Sequence, residues 1–175
     1  MKTIKILFAE DHEMVRNGIK LMLTSQNSFI PEIDEAKDGQ EAISMALKKN
    51  YDVILLDVNL PIKNGISVTK FLISKLGKIR ILALTGHKED FVIQQMIDAG
   101  ALGYIVKNSG LEELTKAIVT VANFKKYYSN EIAQSIINKS SPDNRHSTNR
   151  LGSIPLNNNL STREKEVLKF IAKEY

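Results

Sequence analysis

Short, mostly apolar runs alternate with stretches whose apolar positions recur three and four residues apart, as far as about residue 122. The runs at 4–9, 53–56, 79–84 and 103–106 have strand length and β-branched or aromatic content. Between them lie helical patterns: Met14, Ile19, Leu21, Met22 and Leu23, with Asp11 or His12 in the cap region, then Ala42, Ile43, Ala46 and Leu47 after the Asp38-Gly39 turn. Gly65 precedes a third helix carrying Ile66, Val68, Phe71, Leu72 and Leu76. A fourth holds Phe91, Val92, Met96 and Ile97 and is closed by Gly100; a fifth runs from Leu111 with Leu114, Ile118 and Val121. The segment 29–36 alternates weakly and contains Pro31, as suits a short strand near a sheet edge. Five strand–helix units in this order predict a parallel sheet with helices on both faces. The runs at 53–56 and 81–84 lack polar alternation, the pattern of central strands covered on both sides.

Beyond residue 122 the pattern changes. Ile132, Ala133, Ile136 and Ile137 predict a short helix over 130–138, followed to residue 159 by a Ser-, Asn- and Pro-containing linker. Leu160-Ser161-Thr162-Arg163-Glu164 opens a new helix with a capping box from Ser161 to Glu164. Its apolar face, Val167, Leu168, Ile171 and Ala172, has nothing to bury against before Tyr175. No internal repeat is visible.

Composition narrows the class. A hydrophobic fraction of 43% supports a compact core, and the absence of cysteine excludes disulfides and thiolate metal sites. The first strand begins almost at once, leaving no room for a signal peptide, and no apolar run approaches the roughly 20 residues of a membrane helix. A cytoplasmic protein without membrane partners is the expectation. Acidic and basic residues balance over 1–120, so the net charge of +4 sits in the C-terminal third. That basic tail fits a nucleic-acid partner and equally fits a solvated linker.

The chemistry lies at the strand ends. The first strand ends at Glu10-Asp11, the third at Asp57, the fourth at Thr85 and the fifth at Lys107. In a parallel sheet these carboxyl ends share one edge, so the residues converge. Two acidic strand ends, a hydroxyl and an ammonium are the parts needed to hold a divalent cation and place a phosphoryl group on a carboxylate. No glycine-rich loop follows the first strand, which disfavours dinucleotide or P-loop binding.

Glu10-Asp11-His12, Arg16, Gly18, the Asp57–Pro61–Gly65 loop, Thr85-Gly86 and Gly103-Tyr104-Ile105-Val106-Lys107 resemble a bacterial response-regulator receiver domain. Asp11-His12, Arg16-Asn17-Gly18 and Tyr127-Tyr128-Ser129 resemble the NarL/FixJ subfamily, and residues 160–164 its LuxR-type helix-turn-helix. The resemblance implies a flavodoxin-like (βα)5 fold with a five-stranded sheet ordered 2-1-3-4-5. It divides the chain into a receiver at 1–122, a linker at 123–159 and the first helix of a truncated DNA-binding domain at 160–175. It implies Asp57 as phospho-acceptor, and Glu10, Asp11, Asp57 and the backbone carbonyl of Asn59 as the site for Mg2+ or Mn2+. Thr85 and Lys107 become the switch hydroxyl and phosphate-pairing lysine, and Tyr104 the aromatic switch. Asn59 and His87 flank the phosphate and would tune hydrolysis, with plain surface exposure the equal alternative for His87. His12 reads as structural, because a hard-ion site prefers carboxylates.

The implied partners are a histidine kinase, a second copy of the chain on phosphorylation, and, for a full-length parent, duplex DNA. This chain, ending within the first helix of the output domain, is expected not to bind DNA specifically. No enzyme activity is expected beyond its own phosphorylation and slow dephosphorylation. Two alternatives stand beside this reading. One is a stand-alone phosphorelay or interaction receiver. The other is a Mg-dependent phosphohydrolase of the haloacid dehalogenase type, which wants a second aspartate where Asn59 stands. Phe124 occupies a place where relatives carry a glycine, so the fifth helix is expected to run further.

Overall fold

The computed structural model describes residues 1–86, 90–130, 132 and 133, all within one compact unit, Met1–Ser140. The linker, the helix opening at Leu160, most of the helix expected over 130–138, and His87 lie outside the described residues. The elements are β1 (Thr3–Ala9), α1 (Glu13–Ser25), β2 (Ile30–Ala36), α2 (Gly39–Lys48), β3 (Val53–Asp57), α3 (Gly65–Leu76), β4 (Ile81–Thr85), α4 (Asp90–Asp98), β5 (Gly103–Val106), α5 (Leu111–Ala122) and β6 (Tyr127–Tyr128). The sheet order is β2-β1-β3-β4-β5-β6, and every pairing is parallel.

The expected order of five strands holds, with β2 at an edge, but the sheet has six strands rather than five. Two residues are too short to show a period of two, so backbone pairing rather than side-chain pattern makes β6. Tyr127 N donates to Leu102 O at 3.0 Å, and Ser129 N donates to Tyr104 O at 3.1 Å. Just beyond, Ile132 is fully buried in the same apolar cluster as Tyr104.

Side chains leave the central strands alternately to two faces. Ile6, Phe8, Leu55, Leu82, Leu84 and Ile105 pack with Ile19 and Leu23 of α1 and with Leu114, Ile118 and Val121 of α5. Leu7, Ile54, Leu56, Ala83 and Tyr104 pack with Ile43 and Ala46 of α2, Val68 and Leu72 of α3, and Ile93 and Met96 of α4. Not every periodic apolar residue turns inward: Met14, Leu21 and Phe91 are exposed.

Local chemistry sets the helix ends. The Asp38 carboxylate accepts from Gln40 N and Glu41 N at 2.7 and 2.8 Å, and Asn64 Oδ1 accepts from Ser67 N at 2.9 Å. The expectation of a longer fifth helix is not met. Phe124 itself adopts φ 58°, its N–H donating to Val121 O, while Lys125 N donates to Thr120 O. That is a Schellman closure formed without glycine. The Arg80 guanidinium lies 4.6 Å from the Phe124 ring centroid.

Two glycines fix the loop after β3. A Cβ on Gly65 would stand 2.4 Å from Asp57 O, and one on Gly39 would stand 1.9 Å from Lys63 O. No side chain fits either place, so the N-termini of α2 and α3 lie directly against the backbone that succeeds Asp57.

Candidate functional site

The chain reverses its winding beside β1, whose neighbours are β2 and β3, and in open parallel sheets ligands bind at such a point, beyond the strands' carboxyl ends. Glu10 follows β1 and Asp57 ends β3, and both are buried, at 0% and 1% exposed. Lys107, immediately after β5, places Nζ 2.8 Å from Glu10 Oε2 and 2.8 Å from Asp57 Oδ2. The structure therefore joins three strand ends through one ammonium. Burial alone would lower the lysine's pKa, but the hydrogen bonds to Asp57 and Glu10 outweigh it and hold the group above the usual lysine range.

The second Asp57 oxygen, Oδ1, accepts from Asn59 N at 3.1 Å, which aligns the loop carrying the Asn59 carbonyl. Asn59 itself is exposed. Thr85 ends β4 and is buried, and its carbonyl accepts from Lys107 N at 2.7 Å, tying the two strand ends together. Tyr104 lies fully buried on β5 opposite Ala83, among the apolar residues beneath α4.

His12, read from the sequence as structural, also faces the acidic pair. Its Nδ1 lies 2.9 Å from Asp11 Oδ1 and 3.3 Å from Glu10 Oε1. Ligand atoms of Glu10, Asp11 and His12 all fall within 4.8 Å of one another, a grouping that does not include Asp57. The Asp57 oxygens are turned instead to Lys107 and to Asn59 N.

The donor set suits a hard divalent cation. Three carboxylates meet at this edge, two of them without solvent, and one lysine balances them only in part. Uncompensated buried carboxylates are costly, and an all-oxygen set of this kind favours Mg2+ or Mn2+.

Sequence reasoning gave Arg16 no role beyond a motif position, and it missed Glu35. Arg16 is buried; its Nη1 donates to Glu10 O at 2.8 Å and its Nε to Glu35 Oε2 at 3.0 Å. The missed signal was register: parallel pairing sets Glu35 opposite Phe8, two residues before Glu10.

Residues 6–119 match the family model described as the response regulator receiver domain. The chain belongs to the response regulator receiver family. Its similarity to LuxR-type regulators extends past the receiver. LiaR of Bacillus subtilis (strain 168) is 33% identical over 170 residues, which cover 97% of this chain and 77% of LiaR. DegU of Brevibacillus brevis, a transcriptional regulatory protein, is 30% identical over 134 residues, 77% of this chain and 56% of DegU. The chain thus spans little more than half the length of that relative. A LuxR-family two-component response regulator from Aurantimonas sp. SI85-9A1 superposes with a TM-score of 0.74 at 29% identity, covering 79% of this chain and 99% of that one. Among the described residues, no helix of this receiver is long and apolar enough to cross a membrane.

Proposed function

We propose that this receiver accepts a phosphoryl group on Asp57 from a phosphohistidine of a partner kinase, and that the modification controls a transcriptional output. The observation that carries the reading is the Lys107 ammonium bridging Glu10 and Asp57 at the carboxyl edge of the sheet. An Asp57 oxygen forms the new O–P bond as the P–N bond breaks, and the released ring nitrogen takes up a proton. Lys107 pairs with one phosphoryl oxygen, and Thr85 donates its hydroxyl to another. Glu10, Asp11, Asp57 and the Asn59 carbonyl hold the cation. When bound, Mg2+ neutralises the charge of the phosphoryl oxygens and of the carboxylates around them.

Thr85 and Tyr104 form the switch. Phosphate favours a conformation in which Thr85 moves toward it and shifts the population of packings around Tyr104. The Tyr104 ring is already inside, so the response is a repacking against α4, β5 and the β6 segment rather than an entry from solvent.

The chain is a phosphorylation switch rather than an enzyme acting on external substrates. Asn59 cannot supply the acid that a haloacid-dehalogenase-type phosphohydrolase needs at that place, although slow loss of the phosphoryl group from Asp57 belongs to the cycle. The domains are a receiver to residue 122, a linker to 159, and the opening of a LuxR-type DNA-binding domain from 160. Dimerisation on phosphorylation, duplex DNA as the target of the longer parent and a cytoplasmic setting complete the proposal.

The test is incubation with acetyl phosphate and Mg2+, read by intact mass. One added phosphoryl group, absent in Asp57→Asn and in excess EDTA, supports the reading. Labelling that persists in Asp57→Asn refutes it.

A further inference from the structure

We infer that Arg16 is a positioning residue for the cation site: it orients the Glu10–Asp11 turn from behind, and Glu35 holds it in place. This rests on the proposed metal site and deepens it, because neither residue touches the cation.

Arg16 stands in the first turns of α1, yet its side chain is only 7% exposed and runs back beneath the end of β1. Nη1 donates to Glu10 O at 2.8 Å and makes a longer approach of 3.5 Å to Asp11 O. Nε donates to Glu35 Oε2 at 3.0 Å, and Lys20 Nζ pairs with the other Glu35 oxygen. The hydrogen bond from Lys20 lowers the Glu35 pKa most, with Arg16 adding to it against the cost of burial. The backbone of Glu10 is held on its other side too, its N–H donating to Ala36 O at 3.1 Å. Both peptide groups flanking the Glu10 side chain are therefore fixed, one by β2 and one by the guanidinium.

The residue type suits this role. A planar guanidinium has several donors in a rigid fork, so it grips a carboxylate and a backbone carbonyl together at set angles. A lysine offers a point charge on a flexible stem and cannot hold both. A side chain kept only for fold stability would not need to end on the carbonyl of the residue whose carboxylate faces the site. Groups that orient metal ligands without touching the ion typically govern about 10–100-fold in affinity.

The test is calorimetric titration of the 175-residue chain with Mg2+ and with Mn2+, alongside Arg16→Lys, Glu35→Gln and Lys49→Gln. Lys49 pairs with Glu32 and Asp34 on β2, away from the turn, so its loss controls for general weakening of that strand. The expected result is a cation affinity about 10–100-fold weaker in Arg16→Lys and Glu35→Gln, unchanged in Lys49→Gln. Phosphoryl uptake from acetyl phosphate should then return toward wild type when Mg2+ is raised to saturation, a split that a misfolded variant does not show. An affinity within twofold of wild type in Glu35→Gln, or in a folded Arg16→Lys, overturns the inference. If wild type takes up neither ion, the metal reading itself fails and this inference falls with it, a result distinct from a variant-specific null.

Discussion

The amide of Ser129 donates to the carbonyl of Tyr104 at 3.1 Å, so the chain leaving the fifth helix is stitched to β5. Tyr128 stands opposite Tyr104 in the register, and Ile132 is fully buried in the cluster that contains the Tyr104 ring. Whatever repacks Tyr104 acts on this exit segment. Ile132→Ala should therefore cost about 2–4 kcal/mol, through lost burial and the cavity left behind. It should also raise hydrogen exchange at the Tyr127 and Ser129 amides. Urea denaturation with exchange mass spectrometry measures both; a cost below about 0.5 kcal/mol, the level of a surface change, contradicts the packing described.

Lys107 is the cation between two buried carboxylates, and its removal leaves them facing one another. Lys107→Met should lower stability in EDTA by on the order of 2 kcal/mol, less than for a fully buried pair because the lysine keeps some solvent contact. Saturating Mg2+ should restore most of that loss, since the ion supplies the missing charge. Urea midpoints with and without Mg2+ decide it. A loss indifferent to Mg2+ would mean that the carboxylates do not share a cation.

At Phe124 the usual ranking of residues should reverse. With φ at 58°, any side chain carries the strain of the left-handed region, about 1–2 kcal/mol, and glycine does not. Phe124→Gly should be more stable than Phe124→Ala by about 1 kcal/mol, because both lose the Arg80 contact and only glycine loses the strain. Thermal unfolding of the pair is the check; equal stability would place the helix end elsewhere.

The β2 strand should make the fold sensitive to acid. The hydrogen bond from Lys49, then that from Tyr51, holds the Asp34 carboxyl below its ordinary range, and Lys20 does the same for Glu35. A depressed carboxyl contributes stability that is complete above its unfolded-chain value and is lost as pH falls through the folded one. The loss should therefore begin near pH 4 and continue below it. The double variant Asp34→Asn, Glu35→Gln should flatten that acid slope while changing little of the slope between pH 6 and 8. Urea midpoints across that range test it, and an unchanged acid slope contradicts it.

Much of this was legible in the chain because a parallel sheet writes itself plainly. Val53–Leu56 and Ile81–Leu84, apolar on both faces, are central strands, and Pro31 lies in the edge strand. The strand-end residues were legible for the same reason: runs of one polarity stop at a residue of another. β6 was not, since its two tyrosines pair through backbone groups that no side-chain period reports. The end of α5 was misread because Phe124 adopts a conformation normally left to glycine. The pairing of Arg16 with Glu35 was not legible, because it depends on the β1–β2 register, which appears only once the strands are paired.

In the proposed site Glu10 and Asp11, just after β1, and Asp57, at the end of β3, surround one cation at the carboxyl edge of the sheet. Paramagnetic broadening of backbone amide signals by substoichiometric Mn2+ tests it directly. Glu10, Asp11, Asp57 and Asn59 should broaden first and together, and Mg2+ should compete the effect away. Broadening centred on another region, or none at saturating Mn2+, would contradict it.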